Sequence, residues 1–530
     1  MLHFGAVLLR AEVFIDTEPI GAHAGGFTPF AFDISRFAGR AVEITVRVSS
    51  VNAVMPDDDT YLYPVSYNFN KEEGVIARGI WQSVWISAAP AVHIVRWRHR
   101  VSTRADRLFI EADVRNTSGK PFEGCLRGAL ARDRDVPADA SFLESAPFRL
   151  AGGGQTRVRA RCGIAGLPRW SPDSPRLLRI DLSLRDRAGK DRHELPVRVG
   201  LREVAVRGSH LLLNGRPVHL RGFSLLRHRI SPHLWRRDYL RLYLRTMKRI
   251  GFNAMRVHGC IGPPQIFDAA DEVGLLVEDQ SSIWSNPEPR YWAGGETFMR
   301  NAERELADWI ERDRNHPSVI LWDVENEMIR INPRQRPHSA RLMELARELD
   351  PTRPAGASGA GAFDAMDLYH IHSEPRLDCI IRRWREDGCA KPLIAGEWWA
   401  DTTRYDLPCI QKEDGLAGRM RYPLDFREQA DIDAALGELF AREVRIHRLL
   451  GITGTFPFGT EIFLFDPLFP AGPAGPQRLD VAASRTDPVS FTYAEDHRHP
   501  EWVSNRRPYV NPGWDKHAPR CRLNRAFAAP

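Results

Sequence analysis

The chain has 530 residues, 43% of them hydrophobic and 27% charged, a composition typical of a globular protein with about two to four domains. Its formal net charge is +6, but acidic and basic residues interleave without a basic block, which argues against a nucleic-acid surface. Seven cysteines without metal-ligand spacing predict free thiols rather than a disulfide framework or a zinc site.

Membrane insertion and export are not indicated. No segment reaches the ~18 apolar residues of a membrane span. The N-terminal run MLHFGAVLLRAEVF is interrupted by Arg10 and lacks the basic start of a signal peptide. We therefore expect a cytoplasmic protein with no membrane partner, and the sequence leaves a homo-oligomer open.

The first 200 residues show the alternation of apolar and polar residues that is typical of half-buried antiparallel strands. The clearest runs are AVEITVRVSS (41–50), RLFIEADVRN (107–116) and RLLRIDLSLRD (176–186). A break at SAAPA (87–91) divides them into two predicted β-sandwich units, residues 1–90 and 91–203.

From residue 204 to about 474, short apolar runs alternate with amphipathic helices, predicted at 234–250, 296–313 and 428–450. The predicted strands are 218–224, 253–259, 275–280, 319–327, 354–359, 367–372, 392–399 and 453–459. Eight such units predict a (β/α)8 TIM barrel, although a doubly wound sheet stays open and the fifth strand is the least apolar. The Pro- and Gly-rich tail, 475–530, is predicted to be irregular.

The polar residues of this region collect at the C-terminal ends of the strands, where barrel enzymes place their sites. Glu327 ends the fourth strand, in HPSVILWDVENEM, and Glu397 ends the seventh. Paired carboxylates across a cleft suit the cleavage of a glycosidic bond, and aromatic side chains at the rim suit a sugar. For a single Glu, an ion-paired structural role is the more common explanation, but the joint placement favours catalysis.

Several segments resemble glycoside hydrolase family 2, the β-galactosidase, β-glucuronidase and β-mannosidase group. GAHAGGFTPFAFDIS (21–35) and GIWQSVWI (79–86) are similar to its sugar-binding jelly roll, without the first strands. RWSPDSPRLLRIDLSL (169–184) is similar to its immunoglobulin-like domain. The barrel segments that resemble it are LLLNGRPVHLRGFS (211–224), MKRIGFNAMRVHG (247–259), DAADEVGLLVED (268–279), RDRNHPSVILWDVENE (312–327) and KPLIAGEWW (391–399).

The resemblance implies a retaining exo-β-glycosidase, most similar to β-galactosidases, that acts on a carbohydrate. In it Glu327 is the general acid/base, Glu397 the nucleophile, Asn326 a ligand of the sugar 2-hydroxyl, and Arg256 the group that positions Glu397. No cofactor or metal is expected. The other predicted substrate contacts are His258, Tyr369, His370, His372, Trp398 and Phe456.

The sequence also departs from the family pattern around the sugar. His258 follows Arg256 by two residues instead of three. His372 or Tyr369 stands where the family has a Tyr, and Phe456 and Phe458 stand where it has a Trp. Glu325 replaces a common Gly, and no Asn-x-Lys motif for a sugar carboxylate is present. Two alternatives therefore stay open: a carbohydrate-binding protein whose catalysis has decayed, and a scaffold that uses its β-sandwiches.

Overall fold

The computed structural model describes residues 1–49, 79–131, 142–225, 237–283, 296–372, 377–398, 441, 444–457, 465–467, 514–515, 518–519 and 521–523. The predicted architecture, two β units followed by an α/β barrel, is confirmed. None of the described helices is both long and apolar enough to cross a membrane. Cys125, Cys162 and Cys389 are free thiols, as predicted.

The N-terminal unit consists of small antiparallel sheets in the orders β5-β1-β8, β4-β3-β6 and β2-β7. Its strands are β1 (Leu2–Phe4), β2 (Val7–Leu8), β3 (Arg10–Ile15), β4 (Glu18–Ala24), β5 (Phe30–Phe32), β6 (Ile44–Ser49), β7 (Gly79–Ile80) and β8 (Val84–Ile86), with a 3-10 turn at Ser35–Phe37. Alternate residues of β3, Ala11, Val13 and Ile15, are buried, as the period of two requires.

The second unit is an antiparallel sheet in the order β16-β15-β11-β12-β14-β10-β9, with β13 beside β11, and it curls so that β9 contacts β16. Its strands are β9 (Val92–Ser102), β10 (Arg107–Asn116), β11 (Phe122–Ala131), β12 (Phe142–Ser145), β13 (Phe148–Leu150), β14 (Gln155–Gly163), β15 (Leu178–Asp186) and β16 (Asp191–Val199). The alternating apolar residues predicted on β10 and β15 form its core.

A three-stranded antiparallel sheet leads into the barrel: β17 (Val204–Arg207), β18 (His210–Leu213) and β19 (Arg216–Pro217). The barrel strands are β20 (Leu220–Leu225), β21 (Ala254–Val257), β22 (Leu276–Gln280), β23 (Val319–Asn326), β24 (Ala355–Ser358), β25 (Tyr369–His372), β26 (Leu393–Trp398) and β27 (Gly454–Pro457). They are parallel in the order β24-β23-β22-β21-β20-β27-β26-β25. All eight lie where the apolar runs predicted strands.

Helices surround the barrel strands. They are α1 (Arg237–Arg249), α2 (Pro264–Val273), α3 (Glu296–Asp313), α4 (Met328–Ile331), α5 (Arg336–Leu349) and α6 (Leu377–Glu386), with a 3-10 turn at Pro333–Gln335 and a helical stretch at 444–450. The apolar residues Phe298, Leu306 and Trp309 of α3 are buried, whereas Leu242 of α1 is exposed. Leu240 and Leu244 of α1 are buried in its place, because the apolar face is rotated by about half a turn from Leu242. Most of the third predicted helix, 428–450, lies outside the described residues.

The tail predicted as irregular contains short strands: β29 (Trp514–Asp515) pairs with β30 (Ala518–Pro519), and β31 (Cys521–Leu523) pairs with β28 (Phe465–Pro467).

Buried polar contacts join the β units to the barrel. The Trp170 indole donates to the carbonyl of Asp271 (2.9 Å), and the buried Arg202 guanidinium donates to the carbonyl of Pro317 (2.9 Å). Arg312 of α3 donates to the carbonyl of Phe27 in the first unit (3.0 Å). The β units therefore contact the barrel at the helices α2 and α3 and at the start of β23.

Candidate active site

Two carboxylates meet at the C-terminal end of the barrel. Glu327 follows the last residue of β23, and Glu397 is the penultimate residue of β26. One oxygen of each carboxylate and a ring nitrogen of His372 all lie within 4.8 Å of one another. The Glu327 side chain is 23% exposed and the Glu397 side chain 10%, so both reach the edge of the barrel interior.

Arg256 of β21 holds one of these carboxylates in place. Its Nη1 donates to Glu397 Oε1 (2.6 Å) and its Nη2 to Asn326 Oδ1 (2.8 Å). The guanidinium is fully buried, and burial works against its charge, but the carboxylates of Glu397, Glu278 and Asp323 outweigh it and raise the pKa of Arg256. Arg256 is therefore a fixed cation that aligns Glu397 and Asn326.

Two histidines lie beside the same carboxylates. His372 Nδ1 lies 2.8 Å from Glu327 Oε1 and 3.4 Å from Glu397 Oε2, so this ring bridges the pair. His258 Nδ1 lies 3.5 Å from Glu397 Oε1. Burial lowers the pKa of His372, which keeps the bridging ring neutral near neutral pH.

A second layer of buried polar side chains lies beneath this site. Glu278 Oε1 is 2.8 Å from His370 Nε2 and 3.6 Å from Arg256 Nε. Asp323 accepts hydrogen bonds from the Gln280 amide and from the backbone N–H of Ser358 (2.9 Å). Burial, reinforced by the neighbouring Glu278, raises the pKa of Asp323 to about 8, and burial also raises that of Glu278. These acids surround the buried guanidinium of Arg256 from below.

The backbone turns sharply where it delivers the first carboxylate. Glu327 has φ = 54°, in the left-handed region, and its N–H donates to the carbonyl of Ser358 (2.8 Å). Glu325, two residues earlier, turns away from the site and accepts from the N–H of Met328 (2.7 Å) and the hydroxyl of Ser339 (3.2 Å). Burial raises the pKa of Glu325 to about 8. Glu325 therefore stabilises the turn that aims Glu327.

The structure does not bring every predicted residue to the site. Tyr369 begins β25, at the opposite end from His372, and packs against Ile381 and Trp384, so it does not contact the carboxylates. Phe456 is fully buried in the apolar barrel core and cannot stack on a sugar in this position. His370 lies in the second layer, and the Trp398 side chain and Phe458 fall outside the described residues.

Two functional positions were not predicted. Arg330 Nη1 donates to Glu327 Oε1 (3.2 Å), a contact that its spacing of three residues on α4 could have indicated. Ser358, the last residue of the weakly apolar β24, lies 3.3 Å from His372 Nε2. Its position at the C-terminal end of a barrel strand could have indicated that Ser358 lies near the site.

Some side-chain clusters have donor atoms close enough for a metal ion. Besides the site itself, they are Asp268, Asp271 and His316, and Glu278, Asp323 and His370. Asp268 already pairs with Arg198 (2.7 Å), Asp271 accepts from the N–H of Ser318 (2.9 Å), and the second set faces the cationic Arg256. These partners disfavour a cation in either cluster.

Comparison with known proteins gives a consistent result. Residues 204–407 match the family described as "Glycosyl hydrolases family 2, TIM barrel domain". A β-galactosidase of Alteromonas mediterranea is 31% identical over 344 residues, 60% of this chain and 32% of that protein. A β-galactosidase of Lactococcus lactis subsp. lactis is 28% identical over 341 residues, 61% of this chain and 32% of that protein. This chain thus spans about a third of the length of these relatives.

Solved structures share the fold. The chain aligns with Bacteroides uniformis β-glucuronidase 2 at a TM-score of 0.66 and 20% identity, over 86% of this chain and 56% of that one. It aligns with a β-galacturonidase from Eisenbergiella tayi at a TM-score of 0.63 and 21% identity, over 86% of this chain and 79% of that one.

Proposed function

We propose that this chain, whose residues 204–407 match the barrel domain of glycoside hydrolase family 2, belongs to that family and is a retaining exo-β-glycosidase that removes terminal β-linked sugars from glycosides or oligosaccharides. The observation that carries the proposal is the carboxylate pair of Glu327 and Glu397, whose nearest oxygens lie within 4.8 Å. Retaining enzymes hold their carboxyl groups about 5–5.5 Å apart, whereas inverting enzymes need about 6.5–9.5 Å to admit a water. The spacing therefore favours a covalent intermediate.

Each residue of the site has a role in the proposed double displacement. Glu397 attacks the anomeric carbon while Glu327 gives its proton to the departing glycosidic oxygen, leaving a glycosyl ester on Glu397. Glu327, now a carboxylate, takes a proton from the water that attacks the anomeric carbon. The new bond to the water oxygen displaces the Glu397 carboxylate, which releases the sugar and restores both groups. Arg256 holds Glu397 in the line of attack, and Asn326 is positioned for the sugar 2-hydroxyl.

For the substrate we propose β-galactosides. The Alteromonas and Lactococcus relatives carry the name β-galactosidase. The sequence also lacks the Asn-x-Lys motif expected for a sugar carboxylate, which disfavours uronides.

A panel of p-nitrophenyl β-glycosides tests both parts of the proposal. We expect nitrophenol release, fastest from the galactoside and slower from the glucuronide, galacturonide, glucoside and mannoside. Proton NMR of the first-formed sugar should show the β-anomer, which demonstrates retention. An α-anomer would contradict the covalent mechanism. Monosaccharide binding in calorimetry without turnover of any glycoside would support the decayed carbohydrate-binding protein.

A further inference from the structure

A line of hydrogen-bonding groups runs from the second polar layer up to the two carboxylates. Glu278 contacts His370, and His372 reaches Glu327. Ser358 Oγ lies between the two rings, 3.3 Å from both ring nitrogens of His370 and 3.3 Å from His372 Nε2. Ser358, His370 and His372 are all buried. The arrangement raises the question of which ring nitrogen carries the hydrogen in each histidine.

The surroundings of His370 determine which of its ring nitrogens carries the hydrogen. The backbone N–H of Gly359 points at Nδ1 (3.3 Å), and a backbone N–H can only donate, so Nδ1 must accept. Burial lowers the pKa of His370 to about 3, so the ring is neutral and its single hydrogen lies on Nε2. From there it donates to Glu278 Oε1 (2.8 Å).

This assignment constrains the Ser358 hydroxyl, which has one hydrogen. The acceptor nitrogen of His370 is already occupied by the Gly359 N–H, so the hydroxyl is directed to His372 Nε2 (3.3 Å). Nε2 of His372 therefore accepts, and its hydrogen lies on Nδ1, between Glu327 Oε1 and Glu397 Oε2. Both of these oxygens are acceptors when ionised, so the assignment gives each ring nitrogen of His370 and His372 a hydrogen-bond partner.

Two glycines let the histidine rings lie this close. A Cβ at Gly396 of β26 would lie 1.6 Å from the His370 ring, and a Cβ at Gly359 would lie 2.8 Å from the His372 ring. The backbone therefore leaves room for the rings at the two positions where they pass it.

We propose that Ser358 and His370 are positioning residues that hold His372 in the tautomer whose Nδ1–H is shared between Glu327 and Glu397. This inference rests on the proposed glycosidase function and adds residues to it. The Nδ1–H stabilises the carboxylate that Glu327 becomes once its proton has left with the glycosidic oxygen. No proton is transferred along the line, because Glu327 regains its proton from water in the second step.

The charges around His372 determine whether a weaker hydrogen bond raises or lowers the pH at which Glu327 loses its proton. The groups that face it are Glu327 at the end of β23, Glu397 on β26, Arg256 on β21 and His370 on its own strand. Arg330 donates to the same Glu327 oxygen that His372 contacts, and His258 lies beside Glu397. A hydrogen bond donated to a carboxylate favours its charged form, so weakening the donor moves proton loss from Glu327 to higher pH.

The kinetic test compares the pH profile of kcat/KM in Ser358→Ala and Ser339→Ala with that of the wild type. Ser339 is a matched control, because it is also buried and also hydrogen-bonded near the end of β23, but to Glu325. In Ser358→Ala we expect the alkaline limb to move up by roughly half a pH unit and kcat/KM to fall roughly fivefold. In Ser339→Ala both limbs should stay in place. Superimposable profiles of wild type and Ser358→Ala, or an equal shift in Ser339→Ala, would overturn the proposal.

A spectroscopic test does not require turnover. Ring nitrogen spectra of the full chain labelled with 15N-histidine report the tautomer, and His372 is assigned as the signal missing from His372→Phe or, if that variant does not fold, from His372→Asn. We expect a protonated Nδ1 and an unprotonated Nε2 in the wild type. A hydrogen on Nε2 of His372 would overturn the inference. A wild-type chain that hydrolyses no glycoside would instead contradict the proposed function, and the ring signals would still decide the tautomer.

Discussion

The two ends of the barrel differ although the same strands build both. At the N-terminal end the interior is an apolar layer that includes Leu220, Ala254, Leu276, Ile320, Ile394 and Phe456. On β22, Leu276 is followed two residues later, on the same face, by Glu278. On β21, Ala254 is followed in the same way by Arg256. From one end to the other the interior changes from hydrocarbon to buried charge.

The apolar end of the barrel contributes stability to the fold, whereas the polar end contributes the charged side chains of the site. The apolar layer is favourable on its own, at about 25 cal/mol per Å² of apolar surface removed from water. Burying Arg256 with Glu278, Asp323 and Glu397 costs free energy that the ion pairs and hydrogen bonds offset only in part. Substitutions at the polar end should therefore change the reaction most, and substitutions at the apolar end should change stability most.

The largest effect is expected at Glu397. Without the nucleophile, Glu397→Ala should lose at least about four orders of magnitude in kcat on a dinitrophenyl glycoside. Added azide should attack the anomeric carbon from the vacated side and give the glycosyl azide of inverted configuration, identified by NMR. A loss of less than tenfold would remove Glu397 from the mechanism.

Glu327→Ala should lose about 10²–10⁴-fold on a phenyl glycoside, which needs its leaving oxygen protonated. On a dinitrophenyl glycoside, which does not, formation of the intermediate should remain fast and azide should restore turnover with retained configuration. The burst of dinitrophenol and the azide product measure the two steps. If Glu397→Ala showed this behaviour and Glu327→Ala did not, the two roles would be exchanged.

At the apolar end, Phe456→Ala should lower the free energy of unfolding by about 3–5 kcal/mol, because it opens a cavity beneath the site. Denaturant unfolding measures the loss, and Phe142→Ala, on a side chain that is 66% exposed, is the control. The pH profile of the folded fraction should match that of the wild type. A higher KM at unchanged stability would instead indicate that Phe456 contacts the sugar.

The smallest effect concerns Glu325, whose pKa is raised by burial from 4.5 to about 8. The folded chain holds a proton that the unfolded chain releases, so stability from this group is present below pH 4.5 and is lost as the pH rises through 8. Glu325→Gln keeps the shape of the side chain but removes its titratable group. The decline in Tm between pH 5 and pH 8 should therefore be smaller by roughly 2 °C, measured by calorimetry. Glu344→Gln, at an exposed position, should leave the decline unchanged.

The strands of the barrel could be predicted because most are short apolar runs buried on both faces. The same continuity hides which residues point inward, since a fully apolar run has no alternation to read. This is why Phe456 was predicted to contact the substrate although it belongs to the core.

The meeting of Glu327 and Glu397 could be predicted from the strand ends, but the groups that surround the pair could not. The hydrogen bonds that join Glu278, His370 and Ser358 link strands whose distance in the chain gives no indication of contact. His372 was one of two candidates for the bridge, and only the direction of β25 decides between it and Tyr369, at the strand's other end.

The left-handed backbone at Glu327 has a consequence for the history of this sequence. A side chain in that conformation costs about 1–2 kcal/mol relative to glycine, which adopts it freely. A lineage that no longer hydrolysed glycosides would gain stability from each mutation to glycine at this codon, and selection would have no reason to oppose it. Glutamate at this position therefore carries a cost in stability that a functional carboxylate would offset.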